Sequence, residues 1–101
     1  MDENPLLTIR FTKRADADAI IIKNYLSYKF TQKEVDNFYQ LLETFEKVIL
    51  AFPELYALST NGKNTHRAVL SKQLSVFYRI SKNCITVNVI PDNRINPSKW
   101  P

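Results

Sequence analysis

The sequence predicts an α+β domain of order β-α-α-β-β-β, a helical hairpin packed on an antiparallel sheet. Three observations predict it: an alternating apolar segment near the start, two consecutive stretches of helical period ended by a proline, and three short β-type runs in the second half. At 101 residues the chain is one domain, 1–101, because a separate hydrophobic core usually needs about 100 residues or more. Residues 91–101 form its C-terminal tail.

The elements follow in order. Leu7, Ile9 and Phe11 alternate with Thr8 and Arg10, the period of a strand with one buried face. Thr12 then caps a first helix over about 13–28, with Asp16 and Asp18 near its positive end and Ala15, Ala19, Ile22 and Leu26 on one side. The start of the second helix is marked twice. Thr31 and Glu34 have the spacing of a capping box, and Phe30 and Val35 that of a hydrophobic staple. Val35, Phe38, Leu41, Leu42, Phe45, Val48, Ile49 and Phe52 continue the helical stripe until Pro53 ends it. A stripe of this kind is core, so Phe38, Phe45 and Phe52 are assigned to packing.

After a polar loop around Asn61 and Gly62, runs 66–71, 74–80 and 84–90 read as strands separated by turns short enough for hairpins. They form an antiparallel meander, and the first strand joins the same sheet to bury its apolar face against the helices. The tail PDNRINPSKWP lacks periodicity and continues as an extended or turning segment.

Composition limits the function classes. Hydrophobic residues make up 45% and charged residues 24%, too apolar a mixture for intrinsic disorder. The one cysteine, Cys84, makes no internal disulfide, and with the one histidine it cannot build a Cys/His metal cluster. No metal and no cofactor are expected, and the compartment is expected to be reducing. The opening MDENPLL lacks the charged-then-apolar order of a signal peptide, and no apolar run approaches the roughly 20 residues that span a bilayer. A cytoplasmic protein without a membrane partner is the expectation.

The net charge of +4 is unevenly distributed. Residues 1–54 hold seven Lys/Arg against nine Asp/Glu, a balance of −2, whereas residues 55–101 hold seven against Asp92 alone, a balance of +6. So one-sided a second half points to an anionic partner, nucleic acid or an acidic protein segment, beside the plainer reading of a solvated basic surface.

The element order and length, together with ADADAIIIKNYL in helix one, FYQLLETFEKVILAFP closing helix two, then HRAVLSKQLSVFYRI, ITVNVIPDNR and the following NP, resemble the RelE/ParE toxin superfamily over nearly the whole chain. The long helical hairpin with its Phe-Pro end is more similar to the ParE branch than to the RelE branch. The resemblance implies the toxic half of a type II toxin–antitoxin pair: an antitoxin whose flexible segment wraps and neutralises the toxin, and a toxic activity carried by the sheet and tail. ParE-like members poison DNA gyrase without an established hydrolytic site, whereas RelE-like members cut messenger RNA on the ribosome. A non-toxic, antitoxin-binding relic is the third alternative.

Cleavage of RNA needs a base for the 2′-hydroxyl, an acid for the leaving oxygen and cations around the phosphate. If the chain is a ribonuclease, the candidates are Arg67, Arg94 and His66. Arg67 lies where such proteins carry basic strand residues, and Arg94 matches the basic residue past the last strand. Two departures argue against this chemistry. Ser75, three residues before Tyr78, stands where the RelE-like pattern has a catalytic arginine, and a serine supplies no cationic fork. Trp100 stands about where a tyrosine is expected, and an indole stacks on a base without exchanging protons near neutrality.

As contacts to a partner or anion we single out Arg67, Lys72, Arg79, Arg94, Lys99 and Trp100. Solvated strand residues account as well for Arg67 and Arg79, a half-exposed strand position accounts better for His66, and a core position better for Tyr78. Arg94, at a strand end, is expected to be held toward a partner and to contribute little to the core.

Overall fold

In a computed structural model, residues 7–60 and 64–95 are described. The chain runs β1 (Thr8–Phe11), α1 (Lys13–Lys29), α2 (Gln32–Ala51), β2 (Thr65–Val69), β3 (Ser75–Ser81) and β4 (Cys84–Val89). The strands make one sheet in the order β1-β4-β3-β2, with β2, β3 and β4 an antiparallel meander. The sheet is mixed rather than antiparallel throughout. The meander leaves β4 as its free edge, and β1 lies along that edge in the same direction, pairing Ile9 with Ile85 and Phe11 with Val87 in parallel.

Both helices lie on one face of this sheet. Ala15, Ile22 and Leu26 of α1 and Val35, Phe38, Leu42, Phe45 and Ile49 of α2 form the core with Ala68, Val76, Tyr78, Ile85, Val87 and Ile90. Burying each of the larger of these side chains contributes about 1.5–3 kcal/mol before chain entropy is charged against it. Phe45 meets Tyr78 edge-on, with ring centroids 5.6 Å apart, an arrangement the ring quadrupoles favour.

Thr12 caps α1, its Oγ1 accepting from the Ala15 amide at 3.0 Å. The same hydroxyl donates to the Asn88 carbonyl at 2.9 Å. That carbonyl is presented by a bulge, for Phe77 pairs with Val89 and Tyr78 with Val87, leaving Asn88 as the additional residue on β4. Asp18, expected only to favour the helix dipole, is buried, and its Oδ2 accepts from the Ile90 amide at 3.0 Å. One carboxylate thereby ties α1 to the end of β4.

Two local expectations at α2 are corrected. Thr31 is the N-cap, but its side chain makes no capping bond. The Glu34 carboxylate, which would complete the box, lies instead 3.6 Å from Arg94 Nη1, and an ion pair with a guanidinium competes with the turn back to the N-cap amide. Phe52 is 65% exposed rather than core. The helix ends at Ala51 and Phe52 leaves it with φ −137°, so the 3.6-residue period no longer directs its side chain. Gly62 lies outside the described residues.

Candidate functional site

Alternation along each strand decides which side chains face away from the helices. On β2, Ala68 is buried in the core, so Arg67 and Val69 stand on the open face. On β3, Val76 and Tyr78 are buried, so Phe77 and Arg79 face outward. On β1, Ile9 and Phe11 pack on the core and Arg10 is exposed. The register joins these positions: Arg10 pairs with Thr86, and Thr86 with Arg79. At about 4.8 Å per strand the backbones of Arg10 and Arg79 are roughly 10 Å apart. Arg67 lies opposite Phe77, its guanidinium carbon 5.9 Å from the ring centroid.

Among the described residues Arg10, Arg67 and Arg79 enter no ion pair. Two shallow recesses flank them. One of about 310 Å³ is lined by Asn64, Arg79, Ser81, Thr86 and Asn88, and another of about 250 Å³ by Leu58, Ser59, Arg67 and Phe77. Three guanidinium groups on one face, without an ion pair among the described residues, attract an anionic partner, and Phe77 adds an apolar contact. A guanidinium cannot take up a proton near neutrality, so the arginines give this face anion binding and no base.

His66 is on the other side of the sheet. Its ring stacks on Tyr78 with centroids 5.0 Å apart and planes at 15°, and its Nδ1 lies 2.7 Å from the Tyr56 carbonyl. A carbonyl only accepts, so Nδ1 carries the hydrogen and donates it. The histidine that showed no partner in the sequence is therefore held in place. It lines a recess of about 470 Å³ with Glu54, Tyr56, Leu58, Asn64 and Ile80, where a phosphate would meet a carboxylate and no guanidinium. Tyr78 is core, as expected. Its hydroxyl donates to the Pro53 carbonyl at 2.9 Å, and burial pushes its pKa up to about 12.

Arg94 is bound by the protein itself. Its Nε and Nη2 grip both oxygens of the fully buried Asp92 at 2.9 and 2.6 Å, its backbone amide donates to Asp92 Oδ1 at 2.9 Å, and its guanidinium carbon lies 6.0 Å from the Phe30 ring centroid. The side chain keeps only 19% of its exposure, and the hydrogen bonds it donates to Asp92 raise its pKa further. The reason is Asp92, whose backbone bridges to Leu74 beside β3 and so carries a carboxylate into the interior, where the guanidinium offsets its charge.

Lys72 is exposed in the turn between β2 and β3, its carbonyl accepting from Asn93 Nδ2 at 3.1 Å. Ser75 is buried at the start of β3, its amide donating to the Pro91 carbonyl at 3.1 Å. Lys99 and Trp100 lie outside the described residues. Arg10 was missed, although its alternation with Ile9 and Phe11 already placed it on the outer face. No group of three or more metal-ligating side chains occurs among the described residues, and no helix among them is long and apolar enough to cross a membrane.

A helical hairpin covering one face of a four-stranded sheet, with arginines on the other, defines a small α+β protein with a basic open face. Neither a protein-family model nor a curated protein matches the sequence. Among solved structures, the chain is similar to one from the chromosomal ParDE TA system of P. aeruginosa, with a TM-score of 0.73 and 14% identity over 88% of this chain and 98% of that one. It is also similar to the chain of the YoeB dimer from Staphylococcus aureus, with a TM-score of 0.59 and 16% identity over 85% and 95% of the two chains. A metal-bound toxin from Helicobacter pylori gives a TM-score of 0.58 and 22% identity over 87% and 96%. The chain has the fold of the RelE/ParE toxins.

Proposed function

We propose that this chain is the toxin of a type II toxin–antitoxin pair, neutralised by a cognate antitoxin, and that it acts as ParE-like toxins do, by binding and inhibiting DNA gyrase rather than by cleaving RNA. One observation carries the choice of binding over cleavage. The three residues that a ribonuclease would need together occupy three separate environments: Arg67 on the open face against Phe77, His66 behind the sheet against Tyr78, and Arg94 locked on Asp92. Acid, base and cation must converge on one phosphate within hydrogen-bond reach. Ser75 supplies no replacement for a missing cation, and loss of a single transition-state donor typically costs a factor of about 10² to 10³. The likeness to a chain of the ParDE system, with the highest of the three TM-scores given, supports the same reading. On it, Arg10, Arg67 and Arg79 form the contact surface for the target.

Two assays on purified protein test the proposal: gyrase supercoiling with added protein, and message integrity in programmed ribosomes. Inhibited supercoiling with intact message is the expected result. Codon-level cuts in ribosome-bound message with normal gyrase activity would overturn it and require the dispersed residues to converge on the ribosome.

A further inference from the structure

Behind the sheet, the recess that holds His66 is opposite in chemistry to the basic face. Its lining includes Glu54, Tyr56 and His66 and has no lysine or arginine. Two hydrogen bonds fix the segment that carries Glu54. The Pro53 carbonyl accepts from the Tyr78 hydroxyl at 2.9 Å, and the Tyr56 carbonyl accepts from His66 Nδ1 at 2.7 Å. Tyr78 and His66 are themselves stacked, so Glu54 lies in the chain between two anchors on one pair of rings. Its nearness is felt by the phenol: burial is the main cause of the raised pKa of Tyr78, and the charge of Glu54 adds to it.

His66 is set up as a ligand. Because Nδ1 carries the hydrogen, the neutral ring has its lone pair on Nε2. Nε2 makes no hydrogen bond among the described residues, and Glu54 forms no ion pair among them. Histidines that bind metal ions donate their other ring N–H in this way, to a carbonyl or carboxylate, which fixes the tautomer and makes the ligating nitrogen more basic. The stack on Tyr78, with planes at 15°, holds the ring against rotation. A carboxylate by itself suits magnesium or calcium, but a nitrogen donor beside it favours a borderline ion such as zinc.

We propose that His66 Nε2 and the Glu54 carboxylate form a zinc site that bridges β2 and the segment after α2. Two protein ligands leave two tetrahedral positions to water, for which a recess of about 470 Å³ has room, so the site is open and exchangeable rather than structural. The spacing of Glu54 and His66 in the sequence is no metal motif; the two anchored carbonyls bring them to one recess. The site lies away from the target contact proposed above and stands whether or not the open face binds gyrase.

The test uses the full chain as Cys84→Ser, which removes its one thiol, titrated separately with zinc and with magnesium chloride. The chain has one histidine, so imidazole nitrogen NMR reports on a single ring. One zinc ion per chain is expected to bind, to shift the Nε2 signal while Nδ1 stays protonated, and to raise the melting temperature; magnesium is expected to do none of these. His66→Gln and Glu54→Gln are each expected to weaken zinc binding by roughly tenfold or more. Glu54 is exposed, so Glu54→Gln is expected to keep the parent's melting temperature without zinc, which separates loss of a ligand from loss of fold. No zinc binding, coordination through Nδ1, the same shift with magnesium, or undiminished affinity in Glu54→Gln would overturn the proposal.

Discussion

Arg94 shows how a single residue changes meaning once its neighbour is known. By sequence it is the best functional cation, a basic side chain past the last strand; in the fold it neutralises Asp92, which is fully buried. Its removal therefore takes the facing cation and two hydrogen bonds from a buried carboxylate instead of clearing a surface. Arg94→Ala is expected to lower stability by about 3–5 kcal/mol in urea unfolding, since removing one side of a buried ion pair is strongly destabilising. In an Asp92→Asn background the same substitution is expected to cost much less. Equal costs in the two backgrounds would mean that the pair does not carry the effect.

At the scale of one element, β2 separates two residues that are adjacent in the chain. A strand turns successive side chains to opposite faces, so His66 and Arg67 cannot serve one site from neighbouring positions. Their substitutions should separate accordingly. Arg67→Ala with Arg79→Ala is expected to keep stability within about 0.5 kcal/mol of the parent while weakening growth arrest on induction. His66→Ala, which removes the ring stacked on Tyr78 and its bond to Tyr56, is expected to do the reverse, lowering the melting temperature while the arrest persists at equal levels of folded protein. Growth arrest that tracks His66 and ignores the arginines would place the site behind the sheet.

For the whole molecule, Tyr78 joins the two layers. From β3 it meets Phe45 of α2 and Tyr56 ring to ring and bonds the Pro53 carbonyl beyond the helix end. Its pKa is raised from 10.0 to about 12, burial being the main cause, with the charges of Tyr56 and Glu54 adding and the Tyr56 backbone opposing. The folded chain thus holds the phenolic proton more tightly than the unfolded chain does. This contribution is fully present below pH 10 and is lost as pH rises toward 12. Melting curves across that window are expected to fall less steeply for Tyr78→Phe than for the parent, although the variant starts about 1 kcal/mol lower for want of the Pro53 bond. Parallel curves would show that Tyr78 has the same pKa in the folded and unfolded chains. Much of the architecture was legible from local pattern, because a period of two or of 3.6 and a terminal proline act through nearest neighbours. The order of elements, the Thr12 cap, the apolar stripe through Phe45 and the core position of Tyr78 all follow in that way. The parallel pairing of β1, the loss of Phe52 from the core, the diversion of Glu34 to Arg94 and the row from Arg10 to Arg79 did not follow. Each depends on which strand edge lies free or which charge lies within reach, and such contacts join residues dozens of positions apart. The sequence by itself thus determined the elements and the sidedness of the charge, while only the tertiary structure decided which cations remain free to bind, since a charge is free or taken according to its neighbours in space.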